Sequence, residues 1–314
     1  MAALCTDKGD FIVIRPFKFY LIAVVLSLSG CVASSFDKGK DALAKGDFNN
    51  AIKDFTKFIK INPRFSPAYL LRGAAFDGNG SYYYAINDFS KAISLNKKNP
   101  EGYYRRALVH KKRGKLGLAI IDFNKTLELK DDFFEAYVNR GLCYVDTDID
   151  LAIQDFDRAI ALDSTSAEAY NIRAYAFNLK SEYKAAIKDS STALELNTDF
   201  DKAYLNRGLA YFRLERFDQA LADLNKTLSI NPKYFQAYTT RGNVYSRLKD
   251  YAKAIKDYNQ ALKLNPKETT AFINRAIAYL NTGEKRKGCA DLAKLCEQGE
   301  CSQLERFRET GLCQ

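Results

Sequence analysis

Histidine is almost absent from this chain: His110 is the single one in 314 residues. That excludes a metal site built on several imidazoles, and any catalytic triad would have to use that one ring. With 6 Pro and 17 Gly, the chain is neither collagen-like nor low-complexity. It has no phosphate-cradling glycine loop, no GxSxG and no HExxH. What is present is a globular composition, 47% hydrophobic and 27% charged, too charged for a multi-span membrane protein. The 48 basic and 38 acidic side chains leave +10, which permits contact with nucleic acid or anionic lipid and requires neither. No catalytic residue, cofactor or metal is expected, and the reading is that of a protein that is not an enzyme.

The longest apolar run, Phe19 to Leu28, follows Arg15 and Lys18 and ends in small residues. About ten residues is half of a membrane-spanning helix, and the order of cations, apolar run and small residues is that of a secretory signal. Its end, Leu28-Ser29-Gly30-Cys31, resembles the lipobox of bacterial lipoprotein precursors. The resemblance implies removal of residues 1–30 and acylation of Cys31, with a diacylglycerol and often a further acyl chain such as palmitate. Two or three chains hold a protein durably on a membrane where one is marginal. Asp7 and Asp10 ahead of the basic flank depart from the pattern, so translation is expected to begin near Val13 or Ile14. Val32 stands where an inner-membrane retention signal has aspartate, so by analogy the outer membrane is favoured within a bacterial cell envelope. Whether the chain faces the periplasm or the exterior is left open.

Past Cys31 the chain repeats. Tyr69, Tyr103, Tyr137, Tyr170, Tyr204, Tyr238 and Phe272 recur every 34 residues, with one interval of 33. Arg follows three residues after each, at 72, 106, 140, 173, 207, 241 and 275, then Gly or Ala, then in six of the seven copies an aromatic three further on. An alanine marks the second segment of the first seven copies and an Asp that of all eight, the Asp at 54, 88, 122, 155, 189, 223, 257 and 291. Apolar spacing of three and four makes each half an amphipathic helix, and a small residue lets two such helices approach. The pattern resembles the tetratricopeptide repeat, with Ala203–Lys267 showing two nearly complete copies. That implies an all-α fold, an α-α superhelix of about eight helix hairpins with a short C-terminal cysteine-rich cap. The units are 32–65, 66–99, 100–133, 134–166, 167–200, 201–234, 235–268 and a degenerate 269–302, followed by a capping tail, 303–314. Each hairpin covers the bare face of the one before.

The regular Arg and Asp suggest a ladder, either a charged binding track or, as strict periodicity favours, pairs that fix hairpin register. His110 replaces the packing aromatic of its copy, and Cys143 stands where sister copies have alanine. In the tetratricopeptide family the first helices line a concave surface that binds peptide segments of partners. Carried onto this chain, that groove includes Leu70, Tyr104, Asn139, Leu142, Asn171, Tyr175, Asn206, Phe212, Asn243 and Asn274. Asn139, Asn206 and Asn274 share one repeat position, open either to a peptide backbone or to local bonding. No three consecutive copies supply the Lys, Asn and Arg set of the family's two-carboxylate clamp. The run from Lys111 to Lys115 reads as a solvated turn. In the first copy, Lys38, Lys40, Lys45, Lys53, Lys57, Lys60 and Arg64 sit close behind Cys31 and suit anionic headgroups. The +9 left after residues 1–30 is expected to spread along the solenoid.

Four cysteines cluster at the end. Cys289 and Cys296 are about 10 Å apart by helical rise, too far to bridge. Cys296 and Cys301 flank a corner at Gln298–Glu300, so the nested pairs Cys296–Cys301 and Cys289–Cys313 are expected in an oxidising envelope, with zinc as the rival. The function expected is a membrane-anchored scaffold that binds protein or peptide partners in the envelope, with no nucleic acid and no metal. Similar lipoproteins serve in assembly of outer-membrane proteins, pili or cell-wall enzymes. The alternative from another class is redox chemistry by the cysteines of the tail.

Overall fold

The computed structural model describes residues 35–297, 299–309 and 313. The signal-like segment and Cys31 lie outside them. The described residues form seventeen helices and no strand. None of these helices is long and apolar enough to cross a membrane.

The chain divides into two compact units, one ending at Cys143 and one beginning at Tyr144. The first contains α1 (35–44), α2 (Phe48–Ile61), α3 (Ser66–Gly78), α4 (Tyr82–Leu95), α5 (Pro100–Lys112), α6 (Leu116–Leu129) and all but the last residue of α7 (Phe134–Tyr144). The second contains α8 (Ile149–Leu162), α9 (Ala167–Leu179), α10 (Tyr183–Leu196), α11 (Asp201–Arg213), α12 (Phe217–Ile230), α13 (Phe235–Arg247) and α14 (Tyr251–Leu264). It closes with α15 (Thr269–Asn281), α16 (Lys285–Glu297) and α17 (Ser302–Glu309).

Local chemistry sets the helix ends. Asp47, Asp148, Ser166 and Asp250 each accept a backbone N–H from the first turn they cap. Second helices stop at Asn62, Asn231 and Asn265, each followed by a proline that disfavours helix in its predecessor. The turn inside most hairpins needs one left-handed residue. Gly46, Gly80, Gly114 and Gly283 supply it without strain, whereas Ser181, Glu215 and Lys249 adopt φ of 60–65° with a side chain.

Within a hairpin the small position allows close approach. A Cβ on Gly73 would stand 2.7 Å from the ring of Phe89, and one on Gly242 would stand 2.6 Å from Tyr258. Those rings, with Phe55, Phe123, Phe156 and Leu224, are the largest fully buried side chains. In the second unit the first helix of each hairpin packs on the second helix of the hairpin before, α11 on α10 and α15 on α14. First helices also touch one another, α9 with α11 and α13 with α15, and no two second helices pack as closely. The first helices therefore line the inside of that unit's curve.

The Arg–Asp ladder is a packing device. Arg72 donates from Nε and Nη2 to Asp88 at 2.7 and 2.8 Å, and the same fork joins Arg106 to Asp122, Arg173 to Asp189, Arg207 to Asp223, Arg241 to Asp257 and Arg275 to Asp291. Nη1 reaches back to the second helix of the preceding hairpin, to Thr56 from Arg72, Ser90 from Arg106 and Ser191 from Arg207. Each guanidinium also lies over the ring three residues earlier, as Arg241 does over Tyr238 at 5.5 Å. One side chain thus ties three helices. The six carboxylates are buried, which leaves no charged track for a ligand.

At the far end, Leu292, Leu295, Leu304 and Cys313 join the core built on Tyr258 and Phe272. Cys289 and Cys313 are paired with Cα atoms 5.5 Å apart, and Cys296 and Cys301 with Cα atoms 4.0 Å apart. Cys143 is a free, buried thiol that packs beside Ala136 and Phe123.

Candidate functional site

Because inward-facing first helices line the curve, the positions facing it are those at spacings of four and three along each helix. On α9 these are Asn171, Tyr175 and Asn178, and they behave differently. Tyr175 is 43% exposed, whereas Asn171 and Asn178 are buried. Asn171 Oδ1 accepts from Asn206 Nδ2 of α11 at 2.9 Å, and Asn178 Nδ2 donates to the carbonyl of Asn206, also at 2.9 Å. Asn178 Oδ1 has no hydrogen-bond partner among the described residues. A buried acceptor left bare costs about 1–3 kcal/mol, and this one stands one turn from an exposed tyrosine.

The other groove positions divide likewise. Asn274 Nδ2 donates to Asn243 Oδ1 at 2.7 Å, and Tyr258 donates to the same oxygen at 2.9 Å. Asn139 Nδ2 donates to the carbonyl of Glu135 in its own helix, while its Oδ1 accepts from Lys111 Nζ at 2.9 Å. Local bonding is therefore the state of all three equivalent asparagines. Leu70, Asn171 and Asn206 are buried against neighbouring helices. Leu142 and Phe212 are half-buried, and Phe212 packs toward Phe217. Asn178 was not anticipated, although its spacing of seven from Asn171 and three from Tyr175 marks the same face.

In the first unit Tyr104 is half-buried, its ring 4.7 Å from that of Phe133. Burial pushes its hydroxyl pKa up to about 12, and the carboxylates of Glu135 and Glu101 add to the effect. The basic run is no single patch. Burial holds the Lys111 ammonium below its ordinary pKa as it bonds Asn139, Lys112 pairs with Asp77 at 2.7 Å, and Gly114 forms the turn.

The expected even spread of charge also needs correction. Residues 35–143 hold 20 Lys and Arg against 12 Asp and Glu, a net of +8, while residues 144–314 hold 25 against 24. The excess belongs to the first unit.

The class these features define is an all-α repeat fold of paired helices. Tetratricopeptide-repeat family models match residues 36–100 and residues 201–234 and 235–268. Over those residues the chain carries tetratricopeptide repeats, a fold that suggests a scaffold for protein or peptide. Among solved structures, it is similar to a chain in the APC/C hetero-tetramer Cut9–Hcn1, with a TM-score of 0.62 and 20% identity over 76% of this chain. It spans 48% of that chain, about half its length. The C-terminal part of a repeat protein from Cytophaga hutchinsonii gives 0.60 at 19% identity, over 76% of this chain and 98% of that one. PilF from Pseudomonas aeruginosa gives 0.58 at 16% identity, over 67% and 97%. At such identities the likeness speaks for the fold alone. No curated protein matches the sequence.

Proposed function

We propose that this is a lipid-anchored scaffold of the bacterial envelope that holds an extended protein segment against the inner face of its second unit. The observation that carries the reading is Asn178 Oδ1, a buried acceptor without a partner beside exposed Tyr175 and Leu179 on α9. A peptide N–H that displaces the side chains covering this oxygen would complete the amide, and the tyrosine and leucine would cover the segment's apolar side chains. The anchor is Cys31, acylated after loss of residues 1–30, and the outer membrane is its preferred site.

Photo-crosslinking in cells from Tyr175, with Lys188 on a second helix as control, tests the groove. A discrete partner captured from Tyr175 and lost on Asn178→Leu supports it, and equal capture from both positions refutes it. Mass spectrometry of the native protein tests the anchor, which requires diacylglycerol on an N-terminal Cys31. The cysteines at the end read as a cap rather than a redox site, since Cys313 is buried in the terminal core. Rapid alkylation of the native protein at Cys296 or Cys301 would reverse that view.

A further inference from the structure

The first unit exposes large apolar side chains on two second helices, and one of these side chains, Tyr84, also stacks on the ring of Phe76 at 5.3 Å. Tyr83 and Tyr84 in the first turn of α4 are 67% and 58% exposed, and Leu118 and Ile121 in the opening turns of α6 are 50% and 63% exposed. Tyr84 and Leu118 occupy the same repeat position, 34 residues apart, where four other copies have Asn50, Gln219, Lys253 and Lys287. The position of Ile121 is polar in five other copies, as Lys53, Asn87, Gln154, Lys188 and Lys256, and alanine in two. Repeat packing therefore tolerates polar groups at these sites, and apolar exposure repeated on α4 and α6 marks a contact surface.

We propose that this face docks on an anionic lipid bilayer. Three observations select that occupant. Arg113 and Lys115, in the turn that leads into α6, and Lys91, two turns along α4, are exposed and make no ion pair among the described residues. They sit in the unit that holds +8 of the chain's +10. A second copy would bring like charge to the same face, whereas an anionic surface neutralises it. Paired tyrosines, their rings 5.5 Å apart edge to face, suit the headgroup layer, where one end of the ring is apolar and the other wet.

The third observation is chain length. Only residues 32–34 separate Cys31 from the first described helix, a reach of about 10–15 Å. An acyl chain on Cys31 would thus hold the first unit within contact range of the bilayer. This part of the orientation rests on the proposed anchor, while the patch and its charge do not. Docked this way, the first unit adds a second membrane contact to the lipid.

Sedimentation of residues 32–314, which keep every described residue, with phosphatidylcholine vesicles with or without phosphatidylglycerol tests the face without the lipid. Binding is expected only with phosphatidylglycerol and is expected to weaken with salt. Arg113→Ser and Lys115→Ser should each weaken it about fivefold, the equivalent of roughly 1 kcal/mol per cation near such a surface. The pair Tyr83→Ser and Ile121→Ser should weaken it tenfold or more, with helicity and melting unchanged because both side chains are exposed. Leu248→Ser, an exposed apolar change in the second unit, should have no effect. Absence of binding, equal binding to neutral vesicles or wild-type affinity of the patch variants overturns the proposal. So does concentration-dependent dimerisation abolished by Ile121→Ser, which would assign the patch to self-association. Detection of diacylglycerol on Cys31 is read separately, so a failed face and a failed anchor are distinguishable.

Discussion

Replacing Arg207 by methionine isolates what the ladder does. Arg207 holds Asp223 through Nε at 2.8 Å and Nη2 at 2.9 Å, reaches Ser191 of the preceding hairpin at 3.1 Å and covers the ring of Tyr204. Asp223 is only 6% exposed, so the variant leaves a carboxylate in the interior without its cation. Breaking a buried pair from one side costs about 3–5 kcal/mol, which corresponds to roughly two to four decades in an opening equilibrium. Hairpins contact only their neighbours, so the loss should be local. Native-state hydrogen exchange reads this directly: amides of α11 and α12 should lose protection by that factor while those of α3 and α4 keep theirs. The double variant Arg207→Met, Asp223→Leu should recover most of the loss, because an apolar pair of similar size needs no desolvation. A loss under about 1 kcal/mol, or a double variant worse than the single, would refute the packing account.

Three further outcomes follow from individual residues. Lys249→Gly should raise stability by up to about 1 kcal/mol in chemical denaturation, because Lys249 holds φ at 63° where other copies use glycine. Burial keeps the His110 pKa below its ordinary value, with the carboxylate of Asp122 acting against the shift. The unfolded chain then takes up the proton first, so stability should decline as pH falls from about 6.5 toward the lowered pKa, and His110→Phe should abolish that limb of a pH–stability curve. Cys313→Ser opens a loop closed over a separation of 24 residues and should lower the stability of the terminal hairpin by about 3 kcal/mol. Unchanged melting under oxidising conditions would refute that last expectation.

The fold was legible because packing positions recur: a large residue, a small one and an aromatic at fixed offsets leave few ways to arrange two helices. The ladder was legible as pairs for the same reason, since a charge that repeats in every copy answers to the repeat. The groove was less so. Exposure on an inward face depends on how closely successive first helices approach, and that distance buried Leu70, Asn171 and Asn206 while leaving Tyr175 open. Spacing shows that Asn139, Asn206 and Asn274 are equivalent, but whether an amide bonds a partner or its neighbour is settled by tertiary contact. The whole-chain charge concealed an asymmetry that emerged only once the division at Cys143 was known. The left-handed turn position was present in the sequence as glycines at 46, 80, 114 and 283, and its non-glycine members became visible from backbone angles.

The central claim is that the inner face around α9 receives a partner's backbone at Asn178. Site-specific photo-crosslinking at Tyr175 in cells, repeated in the Asn178→Leu variant, tests it most directly. A single partner captured from Tyr175, absent from Lys188 and lost with Asn178→Leu, is the expected result. Capture that is the same from both positions, or indifferent to the loss of the Asn178 acceptor, would contradict it.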